Sequence, residues 1–271
     1  MCVIFEVSKS GYYEWCNRTQ EHVFNEFRSV LDQRVKKLFD LNNGDYGAPR
    51  IWRSLRRTGV FYNIKTIAES LKRQGLRAKA GAKFKPKTTD SNHHLPVYEN
   101  VLNQDFSATK LNEKWVGDIT YLDTGEGWLY LAVIIDLYSR KVVGWSMSDR
   151  MTKELVCAAF LNAMNLRGNP LGVIMHTDRG SQYCSTKYRQ LLKSTHTVGS
   201  MSAKGCCYDN AVAESFFHSL KVETIHGRKI DTHNEMRSLV FRYIESRYNR
   251  VRMHSACDYL SPHEFDLQAA A

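Results

Sequence analysis

Three acids sit where their neighbours argue against an acid. Asp118 interrupts a run that otherwise reads Trp115, Val116, Ile119, Tyr121, and a carboxylate inside a β-rich run carries a desolvation cost unless a cation meets it. Asp178 directly follows the apolar stretch GVIMHT, at the carboxyl end of a strand, where α/β sheets place their ligands. Glu214 lies beside Ala213 and Phe216 on a helical stretch that reads as partly buried. Taken singly, each has an ordinary reading: a strand-edge acid, a turn former before Arg179-Gly180, a solvent-facing helical acid. Taken together, they form the oxygen set that hard Mg²⁺ or Mn²⁺ takes. Thirty-five residues lie between Asp178 and Glu214, and Lys221 follows Glu214 by seven, which returns it to the same helix face two turns on.

Other residues compete for these roles and rank lower. Asp123 and Asp136 end the first and second β-runs, positions that suit turns and caps. His176 reads as a supporting or packing residue beside an oxygen ligand set. Gln182 and Asn210 are weaker candidates for touching a bound substrate or orienting ligands. Arg247, Arg250, Arg252 and His254 read as following the backbone of a bound anionic partner or as a solvated helix end.

The elements that must position the acids follow from pattern. KWVGDITYLDT and GWLYLAVIIDLYS are β-rich runs separated by Gly125–Gly127, a hairpin signal, and KVVGWSMS is a third run, antiparallel to the second. Thr152 caps a helix carrying Leu155, Val156, Ala159, Phe160 and Ala163 that ends near Gly168. GVIMHTD is a fourth strand, a helix covers Lys187–Ser194, and a short strand falls around Thr197–Val198. Asp209 and Asn210 then cap a helix through AVAESFFHSLKVET. Three meandering strands followed by α-β-α-β-α predict an α/β, RNase H-like mixed five-stranded sheet flanked by helices.

Ahead of this sheet the chain is basic and helical. Of the 271 residues, 1–110 hold 19 Lys+Arg against 11 Asp+Glu, and 111–271 hold 19 against 17. The excess charge points to an anionic partner held by the N-terminal part. Phe27, Val30, Leu31, Val35 and Leu38 recur at helical spacing from Asn25 to about Leu41. YGAPRIWRSLRRTG and IKTIAESLKRQG make two short helices closed by Gly59 and Gly75, as in a helix-turn-helix. Between Tyr46 and Lys87 there are 12 Lys+Arg and one acid, Glu69. So few acids leave little to pair with the bases, which favours phosphate contact by Arg50, Arg53, Arg56, Arg57, Lys72, Arg73 and Arg77. The expected organisation is an N-terminal extension over 1–24, a small basic all-α helix-turn-helix domain over 25–80, a basic linker over 81–110, and a catalytic core with C-terminal helices over 111–271.

Seven cysteines occur without a C-x-x-C pair, which argues against zinc and for reduced thiols in a cytoplasm. The sequence start lacks the pattern of a signal peptide, and no apolar run is long enough to cross a bilayer.

The segments WVGDITY (115–121), WLYLAVIIDLYSR (128–140), VVGW (142–145), HTDRGSQY (176–183) and SMSAKGCCYDNAVAESFF (200–217) resemble the OrfB transposases of the insertion-sequence-3 type. That group shares its core with retroviral integrases. VSKSGYYEW near the start, YIESRYNRVRMH near the end and Ser261-Pro262 resemble it too, so the likeness covers almost the whole chain. The resemblance implies that Asp118, Asp178 and Glu214 correspond to the family's metal-binding D, D and E, with two Mg²⁺ or Mn²⁺ ions per active site. Lys221 corresponds to the trailing basic residue, set against DNA phosphate. It implies metal-dependent cleavage of DNA at an element's ends and transfer of the 3′ ends to target DNA, by a homo-oligomer on DNA and without a membrane partner. The family commonly works as a fusion with an upstream helix-turn-helix product, and the start of this chain matches the downstream frame. The His/Cys zinc module of retroviral integrases has no counterpart here. Two rivals stand beside this reading: a nuclease of the same fold that never joins strands, and a non-catalytic repressor that uses the helix-turn-helix alone.

Overall fold

A computed structural model describes residues 8–19, 22–79, 95–203 and 210–270, with the side chains of 15–26 and 270 outside the description. The chain forms two compact units, Met1–Gly81 and Ala82–Ala271.

The first unit is all-helical: α1 (Lys9–Thr19), α2 (His22–Leu41), α3 (Ala48–Arg57) and α4 (Ile64–Arg73). The helix expected from Asn25 begins earlier, at His22. Part of the expected N-terminal extension is α1, whose sequence shows no clean apolar stripe. Its start is marked by Ser8, whose Oγ accepts from the Gly11 N–H at 2.9 Å, a capping bond that satisfies one otherwise orphaned amide. Leu31, Val35, Tyr46, Ile51, Leu55, Ile67 and Leu71 are buried in this unit, whereas Phe27 and Val30, expected on the same face, are exposed. Asn63 caps α4 by accepting from the Lys65 N–H. Gly59 and Gly75, at φ +77° and +65°, close α3 and α4 in the left-handed region that glycine enters without strain.

The second unit is the expected sheet. Its strands are β1 (Lys114–Thr124), β2 (Gly127–Asp136), β3 (Val142–Ser148), β4 (Ile174–Thr177) and β5 (Val198–Met201), in the order β3-β2-β1-β4-β5. The first three form an antiparallel meander; β4 and β5 run parallel to β1. One face is covered by α5 (Lys153–Leu166) and α6 (Thr186–Ser194), which pack Leu155, Phe160, Ala163, Tyr188 and Leu192 around Trp115 and Met175. The other face is covered by α7 (Ala211–Leu220) and α8 (His233–Phe241), whose Phe216, Leu220, Met236 and Val240 meet Val116, Leu122, Leu131 and Val133. Helix α5 lies so close to β3 that a Cβ on Gly144 would fall 2.3 Å from the Ala159 carbonyl oxygen. Both α7 and α8 run on into wider π-helical turns, Lys221–Ile225 and Arg242–Tyr248, and α9 (Pro262–Ala270) ends the fold.

Two expectations change. Thr152 stands at the start of α5 but makes no side-chain cap bond to it. The linker expected over 81–110 does not extend that far. The Val101 and Leu102 N–H groups donate to Ser200 Oγ at 2.9 and 3.2 Å, the Met201 N–H donates to the Glu99 carbonyl, and Leu102 is buried. Residues 95–110 are therefore part of the core unit, and 80–94 lie outside the described residues. The basic composition that suggested a linker belongs to residues before 90; the stretch after it carries the apolar Leu102 and Phe106 that pack on the sheet.

Candidate active site

Strand register brings the two aspartates together. β1 and β4 are parallel with Gly117 opposite Thr177, so Asp118 within β1 and Asp178 just past the end of β4 each come one residue later. Neighbouring strands lie about 4.8 Å apart and paired residues project from the same face. Asp118 shares its face with Val116 and Leu122, which pack against α7, and α7 carries Glu214. The start of α7 is tied to β1 beside Asp118: Asn210, buried, donates from Nδ2 to the Gly117 carbonyl at 3.3 Å. Of the two residues expected to cap α7, Asp209 lies outside the described residues and Asn210 forms no cap bond; its amide anchors the helix to the strand instead. Its position in the sequence, four residues before Glu214, is the only hint of this.

Helix α7 buries Ala213, Phe216, Phe217 and Leu220 and leaves Glu214 exposed. Lys221, at its end, is half-buried with its ammonium 4.8 Å from the centre of the Tyr121 ring. β4 pairs with β1 only as far as Gly117. Beyond that point no described strand pairs with this edge of β1, and Lys221 reaches Tyr121 there.

The charges at this site repel one another. Burial pushes the Asp118 carboxyl well above its ordinary range, and the charge of Asp178 pushes it further. The Ile119 N–H, donating to Oδ1 at 2.8 Å, opposes the shift; Glu214 adds to it and Lys221 offsets part. Although Glu214 keeps contact with water, the desolvation it undergoes also raises its carboxyl, and burial lowers Lys221, with Asp118 pulling it back up. Tyr183, buried nearby, is held well above its ordinary value by burial and by both aspartates, so its hydroxyl stays protonated. Asp178 Oδ1 accepts from the Gly180 N–H at 3.0 Å, which fixes the turn after β4. Among the described residues no three His, Cys, Asp or Glu side chains converge on one point closely enough to hold a single ion; Asp118 with Asp178, and Asp118 with Glu214, are the electrostatically linked pairs.

The competing residues find other roles. Asp136 is fully buried and accepts from the Asn112, Tyr138 and Ser139 amides and from the Trp115 indole, the turn role expected of it. Asp123 is exposed near the hairpin. His176 is buried with Nδ1 bonded to Ser200 Oγ at 2.9 Å and Nε2 to Ser202 Oγ at 3.3 Å, so both ring nitrogens are engaged in packing. Gln182 donates to the Met151 carbonyl. Arg252 is the clear correction. It follows no surface and ends no solvated helix, because it is buried against Glu223, donating from Nε at 2.9 and 3.0 Å and from Nη2 at 2.7 Å. The two partners lie 29 residues apart, too far for any local pattern to pair them.

In the helical unit the basic residues divide. Arg73 is ion-paired with Asp32 at 2.7 Å, and Asp32 is held below its ordinary value because hydrogen bonds from Arg73 and Ser70 outweigh its burial. The acid that pairs Arg73 thus comes from α2, outside the window that seemed almost free of acids. Arg50 lies over the Tyr46 ring and donates to the Asp45 carbonyl. Arg56 stacks on Trp52 and Phe61 at 4.8 and 5.3 Å. Arg53 is half-buried, whereas Arg57, Lys72 and Arg77 are exposed.

Comparison with known proteins matches this architecture. An integrase core domain matches residues 108–207 and again 214–269, and an HTH-like domain matches 26–84. The chain is 55% identical over 267 residues to transposase InsF for insertion sequence IS3A of Escherichia coli (strain K12), spanning 98% of this chain and 92% of that protein. It belongs to the IS3-type transposases. The transposase for insertion sequence element IS904 of Lactococcus lactis subsp. lactis is 44% identical to this transposase, over 88% of this chain and 94% of the relative. Among solved structures, a chain of the simian T-cell lymphotropic virus intasome in complex with PP2A regulatory subunit B56 gamma aligns with a TM-score of 0.50 at 16% identity, over 86% of this chain and 74% of its own. That likeness is one of fold. The IS3-type transposase thus carries an integrase core of RNase H-like fold behind an HTH-like domain, and it is a transposase of an insertion sequence.

Proposed function

We propose that the cleavage and strand transfer of this IS3-type transposase run at a divalent-metal site made by Asp118, Asp178 and Glu214. The observation that carries this is the placement of Asp118: it is aligned with Asp178 by strand register and shifted upward by burial and by the charges of both other acids. Divalent cations would relieve that repulsion, and hard carboxylate oxygens are the donors that Mg²⁺ or Mn²⁺ prefers. Asp118 and Asp178 would hold one ion, Asp118 and Glu214 a second. Bound there, such ions supply charge for activating an attacking oxygen and stabilising a leaving 3′-oxygen. The chain supplies position. Asp118 is locked in a strand, Asp178 in the turn closed by Gly180, and Glu214 on a helix that Asn210 ties to β1. Lys221 offers its ammonium to a DNA phosphate beside them. Water as nucleophile cuts at the end of the element; a freed 3′-hydroxyl as nucleophile joins it to new DNA. No Ser, Tyr or Cys has to attack, so no covalent enzyme intermediate forms.

The domains divide the work as the sequence suggests, with residues 25–80 holding DNA and 111–271 reacting on it. The transposase works as a homo-oligomer on paired DNA ends, alone or with an upstream helix-turn-helix product, among the DNA of a bacterial cytoplasm. Among the described residues no helix is long and apolar enough to cross a membrane. Arg50, Arg53, Arg56, Arg57, Lys72 and Arg77 contact phosphates; Arg73, paired with Asp32, contributes less. Replacing exposed Lys72 and Arg77 together by Ala should flatten the log affinity–log salt slope by about 2, since each phosphate contact contributes about 0.9. An unchanged slope in a filter-binding titration removes both from the interface.

Joining separates this reading from a nuclease of the same fold. A duplex bearing the element's end and a labelled 3′-hydroxyl, incubated with the transposase, target DNA and Mg²⁺, should yield label covalently linked to target, and none in EDTA. Shortened strands without any linked product would make the site purely hydrolytic.

A further inference from the structure

We infer that the buried Glu223–Arg252 pair is a positioning device for Lys221, fixing the wide turn that carries this lysine to the edge of the site. The inference rests on the role given to Lys221 above. Regular α-helical bonding ends at Leu220, and Lys221 opens a π-helical turn in which the His226 N–H donates to the Lys221 carbonyl at 2.7 Å. Such turns are rare, and they concentrate at functional sites.

The support here comes from one residue. Arg252 grips Glu223 with three donor contacts of 2.7 to 3.0 Å, and its Nη2 also donates to Ser219 Oγ at 3.1 Å. It therefore ties together the residue two before Lys221 and the residue two after it. Tyr243 completes the arrangement by donating its hydroxyl to Glu223 at 2.9 Å. Glu223 and Arg252 side chains are only 2% and 6% exposed, beside Tyr243 and Tyr248. An apolar pair would fill such a place at no loss of stability, because desolvation cancels most of the attraction between buried charges. What the ion pair adds is a single geometry for the turn. A lysine has a flexible stem and a strongly hydrated head, so holding its ammonium over Tyr121 depends on where its backbone is anchored.

A double-mutant cycle tests this. Glu223→Met with Arg252→Met removes the pair and keeps the volume. Cleavage of an end duplex by the full chain with Mg²⁺ is timed in a single turnover, with and without Lys221→Ala, alongside each variant's melting temperature. A charge-assisted contact is worth about tenfold or more in rate, so the double variant should cut about tenfold slower where Lys221 is present. On the Lys221→Ala background it should cause no further slowing, because coupled residues are non-additive. Equal slowing on both backgrounds assigns the pair a structural role only and overturns the proposal, as does undiminished cleavage by the folded double variant or by Lys221→Ala itself. Should the double variant melt below the assay temperature, Glu223→Gln replaces it in the same cycle: slowing confined to the Lys221 background supports the proposal, and equal slowing on both overturns it. Failure of the metal site is a separate result, read from Asp118→Asn.

Discussion

Replacing Asp118 by Asn should abolish metal-dependent cutting and joining and, in the same step, make the metal-free transposase harder to unfold at neutral pH. The two effects share one cause. Burial, then the neighbouring charge of Asp178, and with them Glu214, hold the Asp118 carboxyl above its ordinary value in the folded chain. A carboxyl raised in this way favours the fold while it is protonated. That advantage is complete below the unfolded-state value and is lost as pH rises through the folded-state value. Above it, the ionised group works against folding, and Asn removes that opposition. In EDTA the melting temperature of the variant should therefore exceed that of the parent at about pH 8, with the gap closing as pH falls toward about 5. Mg²⁺ should raise the melting temperature of the parent much more than that of the variant. The loss of activity should reach about a thousandfold, since metal stabilisation of the developing charge is worth several kcal/mol and each 1.36 kcal/mol is about a decade in rate. A variant that still cleaves at about a tenth of the parent rate, or melts lower in EDTA at pH 8, would remove Asp118 from the site.

Truncating Arg252 to Ala should destabilise the fold by about 3–5 kcal/mol, the cost of leaving a buried charge without its partner. Burial alone would lower the Arg252 guanidinium, but the hydrogen bonds and charge of Glu223 hold it above its ordinary value. The nearby Arg250 is exposed, and its replacement by Ala should change stability by no more than about 0.5 kcal/mol. Urea unfolding of the two variants checks both values: the Arg252 midpoint should fall sharply at an unchanged slope. Similar small shifts for the pair would mean that Arg252 is not the buried anchor described.

These two residues also mark what the sequence can and cannot tell. Asp118 stands out as a candidate because a carboxylate in an apolar β-run is locally anomalous, and Asp178 and Glu214 do so by their neighbours and interval. The strands themselves are legible from alternation and turn glycines. What sets Asp118 beside Asp178, however, is a parallel register between strands far apart in the sequence, Gly117 lying opposite Thr177, and no single segment encodes that. Arg252 misleads for the same reason: an arginine in a polar, basic stretch looks solvated until its distant glutamate is placed against it. Arg73 repeats the lesson in the helical unit, where its partner Asp32 lies on another helix. Helix α1 escapes detection on other grounds, its signal being one serine cap rather than a stripe of apolar residues.

Asp266 on α9 accepts from Lys141 at 2.9 Å and from Arg167 at 2.5 and 2.9 Å. Although its burial opposes ionisation, these partners keep it ionised below its ordinary value. One carboxylate near the end of the chain thus pairs with two cations, rooted in the β2–β3 connection and at the end of α5. A gene copy that stopped short of α9 would leave Lys141 and Arg167 without the carboxylate that both of them bond. Truncation of this element would yield a core strained by its own charge, a damaged copy rather than a compact minimal enzyme.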